Sequence, residues 1–273
     1  MIRLGLSPAD WTILSIYFAF IIGLGFYLKR FTRTQDDFFL AGRRNSSWVA
    51  GLAFLSANLG ALELLGMAGN TFKYGMYVAH FYWIGAVPAM IFLGLYMMPF
   101  YYSSRIHSVP GYLRLRFDEK TRVLNAVAFG AMTLLVSGIN LYAMALVLHT
   151  FLGWNWDASM WISASAVAVY ITLSGLLSAI FTEIIQFFLL WFGLFLVAVL
   201  GIVEIGGVGE IFARIPSSYA HLWSNSGDAA QNGMMVTWAG IVLGLGFVLS
   251  FGYWTTDFLV VQRAFSARDL RSA

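Results

Sequence analysis

Seven stretches of about 20 mostly apolar residues recur along the chain, at about 10–29, 48–70, 77–100, 123–150, 159–176, 182–205 and 234–260, parted by polar or Gly/Pro-containing breaks. A helix needs about 20 apolar residues to cross the hydrocarbon core of a bilayer. With no water at that depth, a spanning helix satisfies its own backbone groups. The chain is therefore expected to be an all-α integral membrane protein with about seven spans. Composition agrees, since 60% of the 273 residues are apolar and 11% charged, against roughly 25% charged in an average soluble domain. The absence of Cys excludes a disulfide framework, a thiolate metal site and a cysteine nucleophile. The first run, Trp11 to Leu28, carries its positive charges behind it at Lys29, Arg30 and Arg33 and shows no small-residue cleavage site. It reads as a retained anchor rather than a secretory signal.

Basic residues accumulate in cytoplasmic loops, and the 16 Lys and Arg residues are unevenly divided. Lys29, Arg30, Arg33, Arg43 and Arg44, then Arg105, Arg114, Arg116, Lys120 and Arg122, then Arg263, Arg268 and Arg271 fall on one face; Arg3, Lys73 and Arg214 fall on the other. This predicts a multi-pass protein of the cell membrane with an outside N-terminus, a cytoplasmic C-terminus and an odd number of spans. It also accounts for the net charge of +3 without a nucleic-acid partner, because the basic residues form short clusters between apolar runs. The turn near Ser174 to Ser178 lacks Lys and Arg, so spans five and six could instead form one hairpin dipping partway. Trp154, Trp156 and Trp161 fit an aromatic belt on the outer side. Asn45-Ser-Ser matches a glycosylation acceptor but lies on the expected cytoplasmic side and is set aside.

Two spans are poorly built as plain helices. The second holds Gly51, Gly60, Gly66 and Gly69 together with Asn58 and Glu63 at membrane depth. A charge at a helix centre costs roughly 2.5 to 3.5 kcal/mol and an interior Gly about 1 kcal/mol relative to Ala. Breaks at this depth are tolerated where the freed backbone lines a cavity or binds an ion, which predicts unwinding at Gly60. The seventh span repeats the fault, with Gly240, Gly244, Gly246, Ser250 and Gly252 ahead of Tyr253-Trp-Thr-Thr-Asp257. Five spans apart, the two cross in opposite directions. A five-helix unit over 48–205, reopening at 234–260 and preceded by an extra helix at 10–29, is an inverted repeat cut short. Paired interrupted helices at matching positions point to a midplane binding site in a secondary transporter. Neither a His/Glu cluster at metal-ligand spacing nor a phosphate-cradling glycine loop is found, so no enzyme, no organic cofactor and no metal other than a coupling ion is expected.

Four stretches resemble the sodium:solute symporter family, whose members share a LeuT-like inverted-repeat fold with an added N-terminal helix. They are Asp37 to Arg43, Ser56 to Gly69, Ser174 to Gln186, and Tyr253 to Arg263 followed by Ala267 to Leu270, and they occur in the family's order. The resemblance implies sodium as coupling ion, held in part by backbone carbonyls near Ser56 and Leu59. It implies that Asn58 and Glu63 face the solute, that Tyr253 is an aromatic inner gate, and that Thr182 and Glu183 lie near the sodium exit path. Tyr82, before Trp83, stands where sugar carriers place an acidic residue, and Ser250 joins the solute-facing candidates. The activity implied is sodium-coupled symport of a small organic solute, a sugar first and proline, carboxylates or vitamins behind it, with this chain a truncated N-terminal portion.

Each candidate has a plainer alternative. Glu63 could be a protonated carboxyl bonded between helices, although ionisable groups inside spans are functional by default. Asn58 could serve interhelical hydrogen bonding alone. His80 and His149 read as satisfied interfacial residues, and Gly240-Ile-Val-Leu-Gly244 as a helix-packing motif. A non-transporting symporter-like module, a sensor input domain or a gene remnant, is the competing reading of the whole chain.

Overall fold

A computed structural model of the chain describes residues 7–224 and 226–273. Among these residues, four helices are long and apolar enough to cross a membrane: Pro8–Lys29, Phe81–Ser103, Glu119–Leu152 and Gly175–Ile205. Two bent pairs pass the same test as single spans, Ser47–Ser56 with Ala61–Ala79 at 60° and Gly240–Thr256 with Phe258–Phe265 at 53°. The remaining expected span is the first part of the long helix Trp156–Ile205, ahead of a break at Gly175. We label the main elements α1 (Pro8–Lys29), α2 (Gln35–Leu40), α3 (Ser47–Ser56), α4 (Ala61–Tyr74), α5 (Phe81–Ser103), α6 (Val109–Arg116), α7 (Glu119–Leu152), α8 (Trp156–Ile205), α9 (Val208–Arg214), α10 (Gly240–Thr256) and α11 (Phe258–Phe265).

Local chemistry sets the ends of these helices. Ser7 and Asp10 cap α1 reciprocally, with the Ser7 N–H donating to Asp10 Oδ2 at 2.8 Å and Pro8 opening the first turn. Thr34 and Asp37 do the same for α2, through the Thr34 N–H to Asp37 Oδ2 at 3.0 Å and the Asp37 N–H to Thr34 Oγ1 at 3.1 Å. The carboxylate of Asp118 accepts the Thr121 N–H at the start of α7, and Gly153 closes that helix in the left-handed region at φ 67°.

The expected turn between spans five and six is not a loop. It is one residue, Gly175, at φ 60° and ψ −141°. A Cβ there would stand 2.5 Å from the Phe38 carbonyl oxygen, so the break doubles as a close approach of α8 to α2. In the seventh span the glycines do not unwind the chain. They sit in wide, π-type turns over Gly240–Ser250, and the bend comes later, at Asp257, whose carboxylate caps α11 through Leu259 N–H at 2.9 Å. Close packing between helices falls on Gly246, against Ile84, and on Gly85, against Ser250; of the expected pair, Gly240 is tight only against Val236 just ahead of it in the chain, and around Gly244 there is open space.

Most apolar side chains of the spans face outward, as lipid-exposed surfaces require. One of three buried clusters brings together Leu40, Met98, Tyr101, Ile106, Val109, Val261 and Phe265 at one end. At that end Asn45 forms an isolated parallel bridge with Ala267, its N–H donating to the Ser266 carbonyl at 3.1 Å and its carbonyl accepting from Arg268 at 2.9 Å. Arg43 donates to the Ile106 carbonyl at 3.1 Å. Basic residues from three separate segments thus share one end of the bundle, in keeping with the charge pattern; Arg3 lies outside the described residues. Asn45 is buried and bonded to Ser266 Oγ, a poor position for a glycosylation acceptor.

Candidate site at the two interrupted spans

Helix α3 stops at Ser56, and the chain turns through 57–60 before α4 begins. Gly60 is extended, at φ −117° and ψ −176°, and its N–H donates to Glu63 Oε2 at 2.9 Å. Glu63 therefore caps the second half-helix, placing a carboxylate at the positive end of the helix dipole. The Ser56 carbonyl accepts the Leu59 N–H at 2.9 Å and is committed to the turn. Among the described residues no hydrogen bond reaches the Leu59 carbonyl, so of the two expected sodium-facing carbonyls Leu59 is the uncommitted one.

Asn58 donates from Nδ2 to the Phe54 carbonyl at 3.2 Å and accepts at Oδ1 from the Tyr253 hydroxyl at 2.8 Å. The two interrupted spans meet through this pair. Glu63 lies within electrostatic range of both Tyr82 and Tyr253. Asn58, Glu63, Tyr82 and Tyr253 thus form one cluster, whereas Ser250 is buried against Gly85 and packs α10 on α5. Asn140 of α7 joins the cluster without being among the sequence candidates. Its Oδ1 lies 3.8 Å from where a Cβ on Gly60 would stand, and an Asn in the middle of a span is the signal that could have found it.

Thr182 and Glu183 stand together on α8 but not in this cluster. The Thr182 hydroxyl donates to the Ser178 and Ala179 carbonyls of its own helix, each at 2.9 Å. Glu183 is paired with Arg263 of α11, Nε to Oε2 at 3.2 Å with a second contact from Nη2 to Oε1. These side chains are 14% and 12% exposed. Ser56 Oγ donates to the Glu183 carbonyl at 2.6 Å, tying the end of α3 to the same place. In the sequence Arg263 stands out only for its part in the charge pattern and the motif; a lone carboxylate within an apolar span is the signal that a cation has to reach it. A cavity of about 430 Å³ opens between α3, α5 and the C-terminal Ser272 and Ala273, and none of the cluster residues lines it.

A bundle of membrane-crossing helices with two bent spans joined by polar side chains has the build of a secondary transporter. The profile of the sodium:solute symporter family matches residues 38–273, and the chain belongs to that family. It is 28% identical over 281 residues to a sodium/glucose cotransporter of Vibrio parahaemolyticus, an alignment covering 98% of this chain and 51% of the relative. Identity to the human sodium/glucose cotransporter 4 is 29%, over 99% of this chain and 42% of that protein, and to the human sodium/myo-inositol cotransporter 28%, over 99% and 41%. In structure it matches a Na+-coupled sialic acid symporter, in a substrate-bound outward-open state, with a TM-score of 0.81, 22% identity, and coverage of 96% of this chain and 55% of that one. The fold is the expected LeuT-like one, and the protein is a multi-pass membrane protein of a transporter family. The chain spans about half the length of the curated relatives it matches.

Proposed function

We propose that the chain carries one half of the solute and ion machinery of a sodium-coupled symporter for a small organic solute, a sugar first, working by alternating access at the cell membrane. The hydrogen bond between Asn58 and Tyr253, joining the two interrupted spans beside the carboxylate of Glu63, carries this reading. Amide, phenol and carboxylate groups are donors and acceptors matched to hydroxyl-rich solutes, and three relatives bear names of sugar or inositol cotransporters. The carbonyl of Leu59, at an unwound segment, is the kind of oxygen that holds a monovalent cation in broken-helix transporters. Sodium entering down its gradient gains about 2.3 kcal/mol per charge per 100 mV, and by binding the outward-open arrangement it favours solute capture. In this reading residues 48–205 form the first repeat, 234–260 open the second, the basic end faces the cytoplasm, and Glu183 lies along the exit path.

The test is uptake of labelled glucose, galactose and myo-inositol by vesicles containing the natural gene product, in sodium and in choline. Sodium-dependent uptake that falls in Asn58→Ala and Glu63→Gln supports the reading. Sodium-dependent uptake unaltered in both variants removes these residues from the site.

A further inference from the structure

Helix α6 and the start of α7 form an elbow at the basic end of the bundle. Val109 is buried in the core there, and Tyr112 stands edge-on to Tyr101 with ring centroids 4.9 Å apart, so one side of α6 is anchored. Every residue from 114 to 120 is exposed. Basic and large apolar residues alternate at its start, Arg114, Leu115, Arg116 and Phe117, and Leu115 and Phe117 are each 66% exposed. Such an alternation suits the boundary between headgroups and acyl chains, where apolar groups sink in while cations stay at the level of the phosphates. Helix α7 fixes that level. Lys120, Leu124 and Val127 share one of its faces, because residues three and four apart are neighbours on a helix. Leu124 and Val127 are exposed on a membrane-crossing helix and so meet acyl chains, which leaves Lys120 one turn nearer the membrane surface.

The two acidic residues of the elbow are already engaged. Asp118 caps α7, accepting from the Thr121 N–H at 2.8 Å and the Thr121 hydroxyl at 2.7 Å. Glu119 is shared by two guanidiniums, with Arg114 Nε at 3.1 Å and Arg122 Nε at 2.6 Å. Four basic residues (Arg114, Arg116, Lys120 and Arg122) against these two acids leave the segment with a surplus of positive charge. Among the described residues neither Arg116 nor Lys120 joins an ion pair, and the Arg116 guanidinium lies 5.9 Å from the centre of the Phe117 ring.

We propose that the α6–α7 elbow is a docking surface for anionic phospholipid headgroups, with Arg116 and Lys120 at the phosphates and Leu115 and Phe117 seated among the acyl chains beside them. Charge complementarity selects this occupant. An acidic partner in water would match the cations but leave the two apolar side chains at the wrong depth, and a bilayer of neutral lipid would receive the apolar side chains but leave the surplus charge unmatched. A leaflet containing anionic lipid receives both. Because Val109 and Tyr112 carry the other side of α6 into the core that holds Phe265 of α11, lipid on the elbow bears on the foot of the second interrupted span.

The chain has no Cys, so Leu124→Cys carries a single fluorophore one turn from Lys120. The labelled chain is placed in vesicles of about three parts phosphatidylcholine to one part phosphatidylglycerol, with the same amount of brominated acyl chain on one lipid or on the other. Quenching is expected to be about twofold or more greater when the bromine is on phosphatidylglycerol. Arg116→Gln with Lys120→Gln is expected to bring the ratio to about one, and Arg116→Lys with Lys120→Arg to keep it. A ratio near one for the unmodified elbow, or a preference that survives in the double Gln variant, overturns the proposal. Should the double Gln variant fail to fold, salt decides: at about 1 M NaCl, where charges are screened within about 3 Å, the preference is expected to vanish, and an unchanged ratio overturns it. None of these outcomes depends on transport.

Discussion

The Tyr253 hydroxyl donates to Asn58 Oδ1 at 2.8 Å, joining residues 195 positions apart on the two interrupted spans. Removing one partner by Tyr253→Phe or Asn58→Ala is expected to cost about 0.5 to 1.5 kcal/mol, toward the low end because Tyr253 is part-exposed. Thermal unfolding in micelles of both single variants and the double variant measures the coupling. Strict additivity would show that the bond contributes nothing.

The ion pair between Glu183 and Arg263 is largely shielded on both sides. Glu183→Gln leaves an uncompensated guanidinium and is expected to cost about 3 to 5 kcal/mol, while Glu183→Leu with Arg263→Met recovers much of the loss. The exposed pair Arg214 and Glu210 is the control, at no more than about 0.5 kcal/mol for Glu210→Gln. Unfolding midpoints of the four proteins give the comparison.

Gly175 combines a positive φ with a carbonyl 2.5 Å from any added Cβ. Gly175→Ala is expected to lose folded protein outright, since a conformation at φ 60° and ψ −141° costs an L side chain about 1 to 3 kcal/mol and the clash with Phe38 adds to it. Gly130→Ala, inside α7 with nothing near its Cβ position, should instead gain about 1 kcal/mol. Yield of monodisperse protein and its unfolding midpoint report both.

Burial alone would push the Asp37 carboxyl up, but the Arg33 N–H, the side chain and N–H of Thr34, and the Arg44 guanidinium together hold it below its ordinary 3.8. The folded chain thus binds this proton less readily than the unfolded one. The stabilisation is whole above the ordinary value and is lost as pH falls below it toward the folded value. Unfolding midpoints of the native chain and Asp37→Asn, followed through the acid range, should converge as pH drops below about 4.

The positions of the spans are legible in the sequence because lipid demands long apolar runs, and the break at Gly60 is legible because glycines with Asn58 and Glu63 are costly in a continuous helix. The bend of the seventh span falls later than its glycines suggest. Glycine marks where a helix is weak, but Asp257, a good cap, decides where the next one starts. The one-residue break at Gly175 leaves no polar signature, since a positive φ needs only one glycine and no loop. Partnerships are the least legible. Glu183 and Arg263 lie 80 positions apart, and nothing in spacing tells that they meet. His80 reads in the sequence as satisfied; among the described residues its Nε2 meets the Leu222 carbonyl and its Nδ1 meets no partner, which is a property of the surroundings rather than of the residue.

The bridge between Asn45 and Ala267 sews the strand of chain leading into the first interrupted span to the strand leaving the second. Both bent rods are therefore rooted in a common footing, and neither can lean without dragging on its counterpart.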